Sequence, residues 1–185
     1  QLVFALGVSG YPVVPPIAGA DSFEGDQHHS SAHPDSDAYR GKRVVVLGSN
    51  NSAHDICADL WEHGADVTMI QRSSTLVARS DTLMEMVFGT LYSEKAVDAG
   101  IDTASADLIQ ASMPHRVAPR FGIPLFKAIA ERDKDFYARL EAAGFLLDFG
   151  DDGSGLHGKY VRRGSGYYID VGASELIANG SVKLR

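Results

Sequence analysis

Residues 43–64 read RVVVLGSNNSAHDICADLWEHG, and this stretch decides the fold. Arg43–Leu47 is β-branched and almost continuously apolar, the pattern of a strand in a parallel sheet covered on both faces. Six small or polar residues, Gly48–Ala53, end the run. Ala53, Ile56, Cys57, Leu60 and Trp61 then recur at i, i+3, i+4, i+7 and i+8, one apolar stripe along a helix over Ser52–His63. Gly64 stands where a helix stop is expected, and Asp66–Ile70 (DVTMI) forms a second strand. Strand, glycine turn, helix and strand make a βαβ unit with a right-handed connection. The fold class is therefore α/β, a Rossmann-like doubly wound parallel sheet.

Away from this unit the pattern is less regular. Leu2–Leu6 is a short apolar run ended by Gly7, which predicts a buried strand. Tyr11–Gly19 carries three prolines and is extended, and the polar Glu24–Arg40 is a surface connection. Beyond the βαβ unit, Leu83–Tyr92 and Ala104–Ala111 read as helices, and Pro114, Pro119 and Pro124 punctuate a loop. Leu125–Ala143 reads as one helix ended by Gly144, Phe145–Phe149 as a strand and Asp151–Gly158 as a turn-rich loop. Strand Tyr167–Asp170, short helix Ala173–Ala178 and strand Val182–Leu184 follow. The expected organisation is a linking segment over 1–40 and a dinucleotide domain over 41–185, with a largely helical insert at about 78–160.

The 185 residues allow one domain, or one and part of another. Charges sum to 17 − 24 = −7, which argues against a nucleic-acid partner. The single cysteine, Cys57, rules out an internal disulfide framework and fits a reducing compartment, so a cytoplasmic location is expected. No apolar run approaches the roughly 20 residues of a membrane span. A signal peptide is not expected, because a basic start is missing and Gly7, Gly10 and Pro12 break the apolar run. The first residue is Gln1 and the last five look like a strand just beginning, which reads as a piece of a longer protein, truncated at its C-terminus.

Chemistry centres on Gly48-Ser49-Asn50-Asn51-Ser52-Ala53. A dinucleotide turn needs G-x-G-x-x-G/A: a glycine for the tight bend, close backbone approach to the pyrophosphate, and a small residue where helix packs on strand. Free N–H groups and the positive end of the helix dipole receive the phosphates. Gly48 and Ala53 fit the first and third positions; Asn50 holds the second, tolerating left-handed backbone but crowding the phosphate. Ser49, Asn51 and Ser52 are potential donors. The alternative is a structural turn that binds nothing. An acid about 20 residues beyond the first glycine would accept from the ribose of NAD. Here 71 − 48 = 23 leads instead to Gln71-Arg72-Ser73-Ser74. Arg72, with Ser73 beside it, offers donors to a 2′-phosphate, favouring NADPH over NADH.

At these residues the chain resembles the NADPH-binding portion of the flavin-containing monooxygenases. Phe23-x-Gly25-x-x-x-His29 is similar to the family's F-x-G-x-x-x-H sequence, with His33 where an aromatic is usual. Gly41–Asp55 resembles its second glycine-rich strand, turn and helix. Ala5-Leu6-Gly7, with Pro12, Pro15 and Gly19, resembles its A-T-G linking element, with Leu6 in place of threonine. The resemblance implies NADPH lying across Gly48–Ala53 with its 2′-phosphate on Arg72. It also implies an FAD held by a domain missing from this chain, and oxygenation of a small nucleophilic or carbonyl substrate. No catalytic acid or base is implied within these residues. Alternatives are a Baeyer–Villiger enzyme or another two-dinucleotide flavoprotein, or a free-standing NADPH-binding module without its own catalysis. The lone Cys57 argues against a disulfide reductase.

The remaining polar clusters suggest less. His28, His29, His33, Asp35 and Asp37 lack cysteine and regular spacing, so no metal site is expected, and the resemblance makes His29 a structural residue. Asp55 either favours the helix N-terminus or orders a water near the cofactor. Lys159, Arg162 and Arg163 are a solvated loop or a contact for a second phosphate. Met84, Met86, Phe88 and Tyr92 are core residues or touch substrate or membrane.

Overall fold

The computed structural model describes residues 2–4 and 10–185. Strand β1 (Arg43–Leu47), helix α1 (Asn51–Glu62) and strand β2 (Asp66–Ile70) form the expected parallel βαβ unit, with Val44 opposite Val67 and Leu47 opposite Ile70. The last strand, β5 (Lys183–Leu184), pairs parallel with β2, giving the order β1-β2-β5. A second parallel pair joins β3 (Leu76–Arg79) to β4 (Tyr167–Asp170). Between these two strands run α2 (Ser80–Leu83), a π-helical turn (Met84–Phe88), α3 (Glu94–Asp98), α4 (Thr103–Ala111), α5 (Ala118–Arg132), α6 (Lys134–Ala142) and α7 (Gly155–Arg163). Helix α8 (Ala173–Ala178) then leads into β5.

The main core lies on one side of the β1-β2-β5 sheet. Leu60 and Cys57 from α1, Val67 and Met69 from β2, Leu140 from α6 and Ile177 from α8 close it. A smaller core gathers Leu76, Ala78, Leu83, Phe126 and Ile129. On α1 the buried face runs through His54, Cys57 and Leu60, while Trp61 is 41% exposed. The stripe is therefore rotated from the one read off the sequence, because α1 also packs against β4 and α8. The other sheet face is open among the described residues, with Val45 61% and Leu47 49% exposed. Cover on both faces, expected from the apolar run, is not observed, because the elements of the main core all sit on one side.

Several other expectations change. Leu2, Val3 and Phe4 are exposed and outside any strand, and Ala5-Leu6-Gly7 lies outside the described residues. The polar connection contains short 3-10 turns at Ser30–Ala32 and Ser36–Tyr39, the latter burying Ser36 and Tyr39. Pro119 and Pro124 belong to α5, not to a loop: Pro119 sits in its first turn, where no amide bond is lost. The expected long helix breaks at Asp133 into α5 and α6. The expected strand Phe145–Phe149 reduces to a single bridge between Leu147 and Thr75. The expected loop Asp151–Gly158 is partly α7, whose approach to α5 depends on Gly122: a Cβ there would lie 2.4 Å from the Ser154 carbonyl oxygen.

Candidate functional site

Strand β1 delivers the chain to Gly48, whose φ of +140° disfavours L side chains. A Cβ there would meet only the Ala53 methyl, at 3.6 Å, so glycine is required by conformation rather than by space. Asn50 then enters α1 with φ −98° and ψ −171°, extended backbone open to any residue. The left-handed tolerance of asparagine is thus not what this position uses; the bend falls on Gly48, and Asn50 approaches the helix as N-cap residues do. Its side chain does not cap the helix. The first intrahelical bond runs from the His54 amide to the Asn50 carbonyl at 3.1 Å, so the amides of Asn51, Ser52 and Ala53 have no partner within the helix.

The side chains of the turn diverge. Ser49 is buried and its hydroxyl lies 2.7 Å from that of Thr75 at the start of β3. Asn51 accepts from the backbone N–H of Ile169 on β4 at 2.9 Å. Ser52 is exposed. His54 is buried, with Nδ1 3.1 Å from the Asn50 carbonyl, which assigns the proton to Nδ1. Its ring lies 3.8 Å from that of Tyr168 at an interplanar angle of 6°, and its Nε2 is buried without a partner among the described residues. Burial pushes the His54 pKa down to about 4, so the ring is neutral. The Tyr168 hydroxyl in turn accepts from the Val171 amide at 3.1 Å.

A second strand–glycine–helix junction gives a built-in comparison. At the end of β4, Gly172 also has positive φ and opens α8. There the Asp170 carboxylate accepts from the amides of Gly172 at 3.2 Å and Ser174 at 3.1 Å, closing the helix end with a negative charge. Among the described residues no such carboxylate caps α1. The α1 turn thus leaves its amides open to an acceptor, whereas two amides of the α8 turn are already bonded to a carboxylate.

At the end of β2, Arg72, Ser73 and Ser74 are exposed, and Arg72 makes no ion pair among the described residues. Gln71 is buried and brackets the Leu146 backbone, donating from Nε2 to its carbonyl at 3.0 Å and accepting at Oε1 from its amide at 2.7 Å. Buried Lys159 lies beneath the same loop, paired with Asp148 and 3.4 Å from the Ser74 carbonyl. Burial alone would raise the Asp148 carboxyl, but bonds from Lys159, Ser74 and the Gly150 amide hold it below its ordinary value. Arg162 pairs with Asp152 at 2.5 Å and Arg163 with Asp151 at 2.9 Å. The basic cluster therefore lies on α7 rather than on a loop: Arg162 and Arg163 are exposed and paired with the acidic segment before the helix, while Lys159 is buried.

Other candidates resolve into structural roles. His29 Nδ1 accepts from the Ser31 amide at 3.1 Å, capping a 3-10 turn. His28, His33 and Tyr39 stack on one another, and Ser36 donates to Asp59 on α1. Asp35, Asp37 and His63 bring ligand atoms within 4.8 Å of one another at the surface. Partial burial raises the Asp55 carboxyl, beside the groove between α1 and the β4–α8 junction. Cys57 is buried and its thiol is pushed up to about 12. Sequence reading passed over Gln71, Thr75 and Tyr168, since each acts through a partner distant in the chain. No helix among the described residues is long and apolar enough to cross a membrane.

Comparison with known proteins gives the chain's kinship. Residues 1–110 match the family described as pyridine nucleotide-disulphide oxidoreductase. The indole-3-pyruvate monooxygenase YUCCA4 of Oryza sativa subsp. japonica is 39% identical over 88 residues, covering 48% of this chain and 20% of the relative. The probable indole-3-pyruvate monooxygenase YUCCA7 of Arabidopsis thaliana is 38% identical over 87 residues, 47% of this chain and 20% of the relative. The indole-3-pyruvate monooxygenase YUCCA6 of the same plant is 34% identical over 90 residues, 48% and 22%. The chain thus spans about a fifth of the length of these relatives.

Proposed function

The chain belongs to the pyridine nucleotide-disulphide oxidoreductase family, and from that premise we propose that it is the NADPH-binding portion of an FAD-dependent monooxygenase acting on a small nucleophilic or carbonyl substrate. The observation that carries this reading is the uncapped N-terminus of α1 directly after Gly48, the junction that its acid-capped counterpart at α8 cannot imitate. NADPH fits the residues present. Its diphosphate would meet the amides of Asn51, Ser52 and Ala53, and its 2′-phosphate would meet Arg72 and Ser73. When bound it supplies a hydride. The protein's own work is to fix the turn, through Gly48 and the Ser49–Thr75 bond, and to hold the Arg72 loop against α7.

Among the described residues none forms a site that fits FAD. The strand–glycine–helix junction besides β1–α1 ends in a six-residue helix already capped by Asp170, so flavin belongs to another domain of the parent protein. Disulfide chemistry does not fit these 185 residues, because Cys57 is a buried, protonated thiol and the one cysteine among them. Kinship to indole-3-pyruvate monooxygenases favours a carbonyl-bearing substrate. The domain boundaries proposed with this function are a linking segment over 1–40 and the NADPH-binding domain from 41 onward.

Titration of the protein with NADPH and with NADH, repeated on Arg72→Ala, tests the reading. NADPH should bind at least about tenfold more tightly, as a charge-assisted contact implies, and the substitution should erase that preference. Equal affinity for both cofactors in the unmodified protein would remove the 2′-phosphate assignment.

A further inference from the structure

Asn51 is the first residue of α1, yet its side chain serves a strand from a distant part of the sequence. Ile169 stands opposite Ala78 in the β3–β4 ladder, but its N–H is taken by Asn51 Oδ1 at 2.9 Å rather than by a strand. The carboxamide thus satisfies the free edge of β4 as a neighbouring backbone would. A planar amide whose oxygen is fixed has its nitrogen fixed too. Asn51 Nδ2 has no partner among the described residues and is not among the buried unpartnered atoms. It therefore presents two donors from the turn whose amides have no partner within the helix. Beside it, the stack of His54 on Tyr168 fastens the same strand to the same turn.

We propose that Asn51 is a positioning residue joining the insert to the dinucleotide turn: strand β4 holds its oxygen, and its amide nitrogen is thereby aimed at the cofactor diphosphate. The proposal rests on the dinucleotide reading above and goes beyond it, since it makes the register of β4 a determinant of cofactor affinity.

Asn51→Asp and Asn51→Ala separate the two ends of the amide. The carboxylate of N51D keeps an acceptor for Ile169 but replaces the donor with a negative charge; N51A removes both. NADPH affinity would be measured by fluorescence titration, and the β4 anchor by hydrogen exchange of the Ile169 amide. In N51D the Ile169 amide should stay protected, the melting temperature should stay within about 2 °C, and NADPH should bind at least about tenfold more weakly. In N51A affinity should fall by about tenfold and the Ile169 amide should exchange faster. N51D binding NADPH within twofold of the unmodified protein overturns the proposal while leaving the dinucleotide reading intact. An unmodified protein that binds no NADPH at millimolar concentration overturns both.

Discussion

The buried, neutral His54 makes stability depend on pH in a way that can be worked out in advance. The ring is fully enclosed, stacked on Tyr168, with one nitrogen donating to Asn50 and the other unpartnered. Protonation would put a second donor and a charge where neither is satisfied, and burial accordingly holds the folded-state pKa at about 4, against 6.5 for the free side chain. The nearby Asp170 carboxylate works in the opposite direction but does not prevail. Because the folded pKa is depressed, the unfolded chain takes up a proton first as pH falls below 6.5. Stability is full above that value and drains away until the folded state also protonates near 4. Integrating between pH 7 and 4.5 gives a loss of about 2 kcal/mol from this residue alone. For a chain of this length that corresponds to roughly 5–8 °C in melting temperature. The perturbation is His54→Phe, which keeps a stacking ring and removes the titration. Urea unfolding of both proteins at pH 7, 6, 5 and 4.5 isolates the term, because the carboxylates contribute equally to each. The stability difference should shift in favour of the variant by about 2 kcal/mol between pH 7 and 4.5. Parallel pH profiles would refute the assignment of His54 as a buried neutral ring.

Three further outcomes follow from the same packing. Leu60→Ala empties the centre of the main core and should cost about 2–5 kcal/mol in urea unfolding, with no change in the NADPH-to-NADH affinity ratio. Asp148→Asn strands the buried Lys159 ammonium under the Arg72 loop; it should cost about 3 kcal/mol by the same measurement and weaken NADPH more than NADH. Cys57, buried and protonated, should react with a thiol-specific disulfide reagent at pH 8 at less than about a tenth of its rate in urea.

The extent to which the chain could be read in advance follows from how local each interaction is. The β1–α1–β2 unit was legible because a strand run, a glycine bend and a helical period all lie within 28 residues, from Arg43 to Ile70. The expectations for Arg72 and the turn residues drew on the same local stretch. Strand β3 was not, since Leu76–Arg79 is four residues long and its partner β4 lies beyond the insert. Prolines misled at α5, where Pro119 occupies a tolerated first-turn position and tertiary packing holds the helix through Pro124. Glycines misled at α7, whose Gly155 and Gly158 look like loop but permit close approach to the Phe126 ring and Ser154. The hidden parts of the candidate site are likewise non-local: Ser49 with Thr75, Gln71 with Leu146, Asn51 with Ile169, and His54 with Tyr168.

The most direct measurement is an amide chemical-shift titration of the protein with NADPH. The account places the largest changes at Gly48–Ala53, in the bend and first turn of α1, with a second group at Arg72–Ser74 and a smaller response at Ile169. Changes confined to the helical insert, or to the acid-capped junction at Gly172–Ser174, would contradict it.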